Sequence, residues 1–228
     1  VPKFYSQGSF PLNTNLNPIL KITEDGEAKE EYDLDDGVYY ICPEKERKEP
    51  ATYHSRIIKA VEGHAESSID KNTCVRVMYA DGHHIDLPSY WMSKEGDTPR
   101  LAHKAKDFVE SDPKAFKFWV DDKISTADSN GQLRRMIRYF KAWKNYRENK
   151  NSALLLPSGF ILTILVCNSF LKSECDDQSF KSTAEVIKTS LNVNFACYRP
   201  TVPTDEELLA DYSKNIVLYE FESLLSNA

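Results

Sequence analysis

The spacing of apolar and polar positions changes character about half-way along the chain. Up to about residue 125 the apolar residues come in short runs separated by turn-forming residues, which predicts strands and loops. DLDDGVYY ends in such a run, and ICPEKERKEP (41–50) is a charged, proline-flanked connection that no strand would contain. HSRIIKAVEGHA carries apolar residues at helical spacing and stops near Gly63, so it predicts a helix lying on the sheet. TCVRVMYADGHHIDLPSYW holds two β-rich runs joined by Asp81-Gly82, a hairpin signal. From Gly131 the period becomes helical. LRRMIRYFKAWKNYRE sets Leu133, Met136, Phe140 and Trp143 on one stripe, and PSGFILTILVCNSFL is apolar all round, the pattern of a helix buried on every side. STAEVIKTSL opens with Ser182 and Glu185 in capping-box spacing, and TDEELLADYS reads as a solvated, acidic helix start. The expectation is an α+β chain: a mixed sheet domain over 1–125, a helical domain over 126–228, and a cleft between them.

Composition narrows the function classes. The 228 residues are 41% hydrophobic and 28% charged, enough for a substantial core in an ordinary globular protein. A net charge of -6 argues against a general nucleic-acid coat protein. No run approaches the ~18 apolar residues of a membrane span, and no secretory leader precedes the first strand. Cys42, Cys74, Cys167, Cys175 and Cys197 form no CxxC pair, so they read as reduced core thiols in the cytoplasm and argue against zinc. The chain opens on Val1 rather than Met and runs abruptly through YSKNIVLYEF, so upstream residues, and internal ones as well, are expected to be missing.

The acids raise the chemical question. EEYDLDDGVYY puts a dense negative charge at the start of a strand. Residues i and i+2 of a strand share a face, so Asp33 and Asp35 project together while Leu34 turns toward the core. Asp86 in HIDLPSY offers a third carboxylate, with Ile85 and Leu87 facing the other way. Glu30 and Glu31 read as solvated entry residues. Carboxylates held this close repel unless a cation lies between them, and three of them suit a pair of Mg2+ ions, which prefer oxygen ligands, water and phosphates. The plain alternative is a solvated acidic turn. Upstream, Gln7-Gly8-Ser9-Phe10 forms a turn whose backbone N–H groups can approach a phosphate closely, with Thr14 shortly after; a simple turn is the competing reading.

The order of a Gly-Ser turn, a DxD strand and a later single Asp resembles nucleotidyltransferases of the polymerase-beta type. QGSF with YDLDDGVYY and HIDLPSY, followed by LAHKAKDFVESDPKAFKFWV, LRRMIRYFKAWKNY and PSGFILTIL, closely resembles the bacterial cGAS/DncV-like CD-NTases of CBASS anti-phage systems. The resemblance implies that Asp33 and Asp35 bind two Mg2+ ions, for which Mn2+ could substitute. It implies that Asp86 joins them and helps deprotonate the acceptor hydroxyl. Gly8 and Ser9 would grip the donor triphosphate with Gln7 beside them, and Lys144 and Ser158 would complete the nucleotide site. Lys144 is preferred to Lys141 because it borders the apolar stripe, whereas Lys141 falls on a basic, solvated face with Arg134 and Arg138. Ser158 equally suits the N-cap of the buried helix.

The implied activity is synthesis of a cyclic di- or trinucleotide from ribonucleoside triphosphates (ATP and/or GTP), releasing pyrophosphate and needing no long template. CBASS regulatory proteins would be partners. Rival readings are a linear synthetase like the 2′-5′ oligoadenylate enzymes, a protein-nucleotidylating antitoxin, and an inactive nucleotide-binding scaffold. His83 and His84 read as turn or strand-surface residues, and His103 and Lys104 as a packed loop. Tyr90 either stacks on a base or fills the sheet domain; Phe116, Phe118 and Trp119 read as core.

Overall fold

The computed structural model describes residues 1–17, 33–127 and 130–226, together with the backbone of 21–22 and 28–29. Glu30 and Glu31 lie outside these described residues. The chain forms two compact units, one of Val1–Pro11 with Asn17–Lys114, the other of Leu12–Leu16 with Ala115–Ala228. The boundary thus falls at 114/115, where the sequence pattern divides at 125/126, and a five-residue thread near the N-terminus belongs with the second unit.

The first unit contains β1 (Lys3–Gln7), a short ribbon of β2 (Lys21–Ile22) with β3 (Ala28–Lys29), β4 (Asp33–Ile41) and α1 (Pro50–Val61). There follow β5 (Ser67–Asp70), β6 (Val75–Met78), β7 (His84–Leu87), β8 (Ser89–Met92), β9 (Arg100–His103) and β10 (Asp107–Glu110). All but the ribbon form one mixed sheet in which β4 pairs antiparallel with β1 and parallel with β7 and then β8. Pro88 alone separates β7 from β8; it has no N–H to give a ladder, but its carbonyl accepts from Val38 N at 2.9 Å. Alternation along β4 divides the packing between the two faces. Val38 packs with Ile57, Val75 and Val77, with Tyr40 at the margin, under α1. Tyr39 and its neighbour Ile41 pack with Tyr90, Met92, Tyr5 and Leu101. The expected hairpin is present, with β6 and β7 antiparallel about a turn closed by Tyr79 N to His83 O at 3.0 Å.

Leu34 does not enter the core. It is 37% exposed, because β1 pairs with β4 only from Asp35 onward and the packing under α1 centres on Val38. Tyr90 is buried and stacks on Tyr39 with ring centroids 4.7 Å apart, so it fills the sheet domain.

The second unit consists of α2 (Pro113–Ala127, its first two residues belonging to the first unit), α3 (Gln132–Lys150), α4 (Gly159–Ser169), α5 (Asp176–Val193) and α6 (Lys214–Ser226). Its core gathers Leu133, Met136, Ile137 and Phe140 of α3 around Leu162, Ile164 and Val166 of α4, with Ala184, Ile187, Val217 and Phe221. Leu12 from the N-terminal thread joins this core. Among the described residues no helix is long and apolar enough to cross a membrane.

Several expectations change here. The segment before 125 is not all strand and loop: α2 buries Phe116, Val120 and Ile124 at four-residue spacing, which also turns Phe118 outward. Ser182 is no cap but lies inside α5, which starts at Asp176 with Asp176 and Asp177 in its first turn, where acids suit the helix dipole. TDEELLADYS forms no helix. Glu207 instead accepts from Cys197 N at 2.9 Å and Leu209 N at 2.8 Å, pinning a loop that buries Leu209. Cys175 is exposed rather than core, whereas Cys74, Cys167 and Cys197 are buried, and all five thiols are free.

Candidate active site

Gln7 ends β1 opposite Asp35, and Gly8 turns the chain away with φ 69°. A Cβ on Gly8 would stand 2.1 Å from Asp35 Oδ2, so only glycine lets this turn lie against the carboxylate. Gly37 has a different reason. A Cβ there would meet Tyr39 Cε2 at 2.7 Å and Gln7 Oε1 at 2.8 Å, so its missing side chain makes room for Gln7 beside the tyrosines. Burial raises the Tyr90 hydroxyl to about 12, against hydrogen bonds with Gln7 and Ser111 that favour ionisation.

Register sets the acids. In the parallel pairing of β4 with β7, Asp33 is opposite His84 and Asp35 is opposite Asp86, so all four side chains share one face. One ligand atom from each of Asp33, His84 and Asp86 lies within 4.8 Å of the others. Asp35 turns its carboxylate toward Gly8. Asp36 belongs to the opposite face, and burial raises its carboxyl pKa. This donor set fits a divalent cation, since carboxylates and imidazole are ordinary ligands for one.

Each of the clustered acids also faces a basic side chain. His84 Nε2 is 3.1 Å from Asp33 Oδ1, though not aligned for a hydrogen bond. Arg76, opposite Asp86 on β6, donates from Nε to Oδ1 at 2.6 Å and from Nη2 to Oδ2 at 2.8 Å. Lys71 Nζ stands 3.7 Å from Oδ2. Burial pushes the Asp86 carboxyl up, but the hydrogen bonds and charge of Arg76, then Lys71 and His84, outweigh it, and its pKa is lowered.

Lys144 and Ser158 lie in the second unit. Lys144 Nζ donates to Glu148, whose other oxygen accepts from Leu156 N at 3.0 Å. Ser158 caps α4, its Oγ accepting from Ile161 N at 3.3 Å. Lys141 is not on a solvated face: its Nζ donates to Thr14 O at 3.1 Å, and its stem lies so close to Gly159 that a Cβ there would meet Cε at 2.8 Å. Thr14 is itself buried.

The comparisons with known proteins bear on this arrangement. Residues 2–90, which include Gln7, Gly8, Ser9, Asp33, Asp35 and Asp86, match the family model for the nucleotidyltransferase domain of DncV-like cyclic GMP-AMP synthase. Residues 2–90 thus resemble a DncV-like nucleotidyltransferase domain. A cyclic GMP-AMP synthase of Escherichia albertii is 25% identical over 222 residues, covering 91% of this chain and 48% of the relative. The chain therefore spans about half the length of that curated relative. The structure of Vibrio cholerae DncV cyclic AMP-GMP synthase in complex with nonhydrolyzable GTP shares the fold at TM-score 0.78 and 21% identity, covering 99% of this chain and 62% of that one. The Bradyrhizobium diazoefficiens CD-NTase CdnG in complex with GTP aligns at TM-score 0.74 and 13% identity, covering 98% and 77%. The chain thus has the α+β nucleotidyltransferase fold.

Three neighbours of the acids escaped sequence reasoning: His84, Arg76 and Lys71. The hairpin signal gave the pairing of β6 with β7 but not its register. Counting outward from a two-residue Asp81-Gly82 loop would set Arg76 opposite Leu87, whereas the observed turn is centred on Asp81 and sets it opposite Asp86. His84 follows from its two-residue spacing to Asp86, once a face is assigned. His83 stacks on Tyr79 with centroids 4.3 Å apart and contacts Asp81, a turn role as expected. His103 ends β9, its Nδ1 accepting from Ala105 N and Lys106 N, and Lys104 pairs with Asp70, so the segment expected as a packed loop is the hairpin turn between β9 and β10.

Proposed function

We propose that the chain is the catalytic part of an enzyme that joins ribonucleoside triphosphates, ATP and/or GTP, into a cyclic di- or trinucleotide with release of pyrophosphate. The observation that carries this reading is the glycine-only approach of the Gly8 turn to Asp35, on the face shared with Asp33 and Asp86. A turn that presents backbone N–H groups beside a carboxylate cluster suits a triphosphate whose charge is neutralised by cations. The matched relatives support the substrate class: DncV has been solved with nonhydrolyzable GTP and with the linear intermediate 5′ pppA(3′,5′)pG.

In this reading Gly8 and Ser9 hold the donor phosphates, and Asp33, Asp35 and Asp86 hold two Mg2+ ions. When bound, those ions supply charge neutralisation at the phosphates and lower the pKa of the attacking hydroxyl. The acceptor hydroxyl attacks the donor α-phosphorus, the bond to the β-phosphate breaks, and pyrophosphate leaves. Asp86, kept anionic beside Arg76, takes the hydroxyl proton. A second turn of the same step closes a dinucleotide ring, and a third is needed to close a trinucleotide, with one pyrophosphate released per bond. Lys144 and Ser158 are carried as nucleotide contacts by resemblance, and Lys144→Ala should raise the KM for triphosphate. The biological role proposed is anti-phage signalling in the cytoplasm, with CBASS regulatory proteins as partners.

Pyrophosphate release with Mg2+ and all four triphosphates tests the chemistry: Asp33→Asn with Asp35→Asn should abolish it, and full retention would overturn the reading. Product chromatography after phosphatase treatment tests the ring. A cyclic product survives, while a linear 5′-triphosphate product is trimmed and marks a linear synthetase.

A further inference from the structure

His84 stands out because it occupies the face of the acids, where the DxD pattern calls only for carboxylates. The β4–β7 register sets it opposite Asp33 and two residues before Asp86 on the same side. Its side chain is 12% exposed. Its Nε2 is shut off from solvent and makes no hydrogen bond, although Asp33 Oδ1 is 3.1 Å away. A buried ring nitrogen beside a carboxylate but with no aligned hydrogen bond is costly, and an ion bound between the two resolves it.

The geometry is close to that of a shared ion. Two ligands about 2.1 Å from one ion stand at most about 4.2 Å apart, and the three ligand atoms here lie within 4.8 Å of one another. Small side-chain rotations close that difference. The bidentate pair with Arg76 does not exclude it, because it engages one lone pair on each Asp86 oxygen and a carboxylate carries about four. An all-oxygen set suits Mg2+, whereas imidazole nitrogen favours first-row transition ions.

We propose that His84 is a metal ligand which, with Asp33 and Asp86, forms a mixed nitrogen–oxygen position for a divalent first-row transition ion such as Mn2+. This rests on the reading of Asp33 and Asp86 as cation-facing acids and adds to it a ligand and a metal preference. The imidazole binds through the Nε2 lone pair, and no proton or electron is transferred in the binding.

Mn2+ added alone to the full chain provides the test, read by electron spin-echo envelope modulation. The spectrum should show a directly coordinated 14N, which changes to the 15N pattern when histidine is 15N-labelled. His84→Ala should lose the nitrogen signal and weaken Mn2+ binding about tenfold while Mg2+ binding changes little. Tight Mn2+ binding without a nitrogen signal, or a signal that persists in His84→Ala, would overturn the proposal and leave the acid site standing. Mn2+ binding unaffected by Asp33→Asn would overturn both. Should His84→Ala fail to fold, the labelled native protein still decides whether any histidine is bound.

Discussion

At the scale of single residues the site depends on what is missing as much as on what is present. Gly8 combines a left-handed φ of 69° with a Cβ position 2.1 Å from Asp35 Oδ2. Gly8→Ala should therefore cost about 1–2 kcal/mol for the backbone alone. Its larger effect falls on catalysis: displacing Asp35 by an ångström should lower pyrophosphate release about 100-fold. A thermal melt beside the release assay separates the two effects. Asp33 and Asp35 were legible as a pair because a two-residue spacing fixes a face; Asp86 was tied to them through the resemblance, and the register puts it on that same face. His84 and Arg76 were not legible, because their meaning depends on which strand lies alongside. Lys141 misled for a similar reason: its buried partner Thr14 is 127 residues away in sequence.

At the scale of elements, α3 organises the helical unit. Phe140 is fully buried and packs on Phe180, with centroids 4.4 Å apart, and on Phe221. Phe140→Ala should destabilise the unit by about 3–5 kcal/mol in a urea melt. The polar edge of α3 is fastened by Asp176, which accepts from Arg135 Nε at 2.7 Å and Nη2 at 2.9 Å, from Gln132 Nε2 at 3.1 Å and from Tyr139 Oη at 3.0 Å. Arg135 foremost, with Gln132 and Tyr139, holds the Asp176 carboxyl well below the ordinary carboxylate range against the opposing effect of burial. The native carboxylate binds its proton later than the unfolded one, so this stabilisation is complete above about pH 4 and fades as acid titrates the native group. Asp176→Asn should thus lower stability at pH 7, and the gap from the native protein should narrow toward pH 2 in paired urea melts. Long periodic helices such as α3 and α4 could be read from their stripes. α2 and the start of α5 were harder: α2 follows directly on short strands, and a credible capping box at Ser182 lies inside a longer helix.

At the scale of the whole molecule, a net charge of -6 offers little to a long polyanion. Added RNA or DNA should leave nucleotide turnover unchanged, and stimulation in a titration with either polymer would point to a templated enzyme. The two units could be expected from the change in hydrophobic period, but the thread Leu12–Leu16 could not, since five residues carry no period of their own. Leu12 sits in the helical core, and its carbonyl accepts from Arg134 Nε at 3.0 Å. This has a consequence for the order of events during synthesis. Chains emerge from the ribosome N-terminus first, and domains tend to fold as they appear. Here Leu12 and Thr14 emerge more than a hundred residues before Arg134 and Lys141. The helical core must wait to recapture a strand of chain released long before, and the Gly8 turn, four residues upstream of Leu12, stays tethered to a segment whose home does not yet exist. Translation can therefore deliver a finished sheet well before it delivers a finished helical unit.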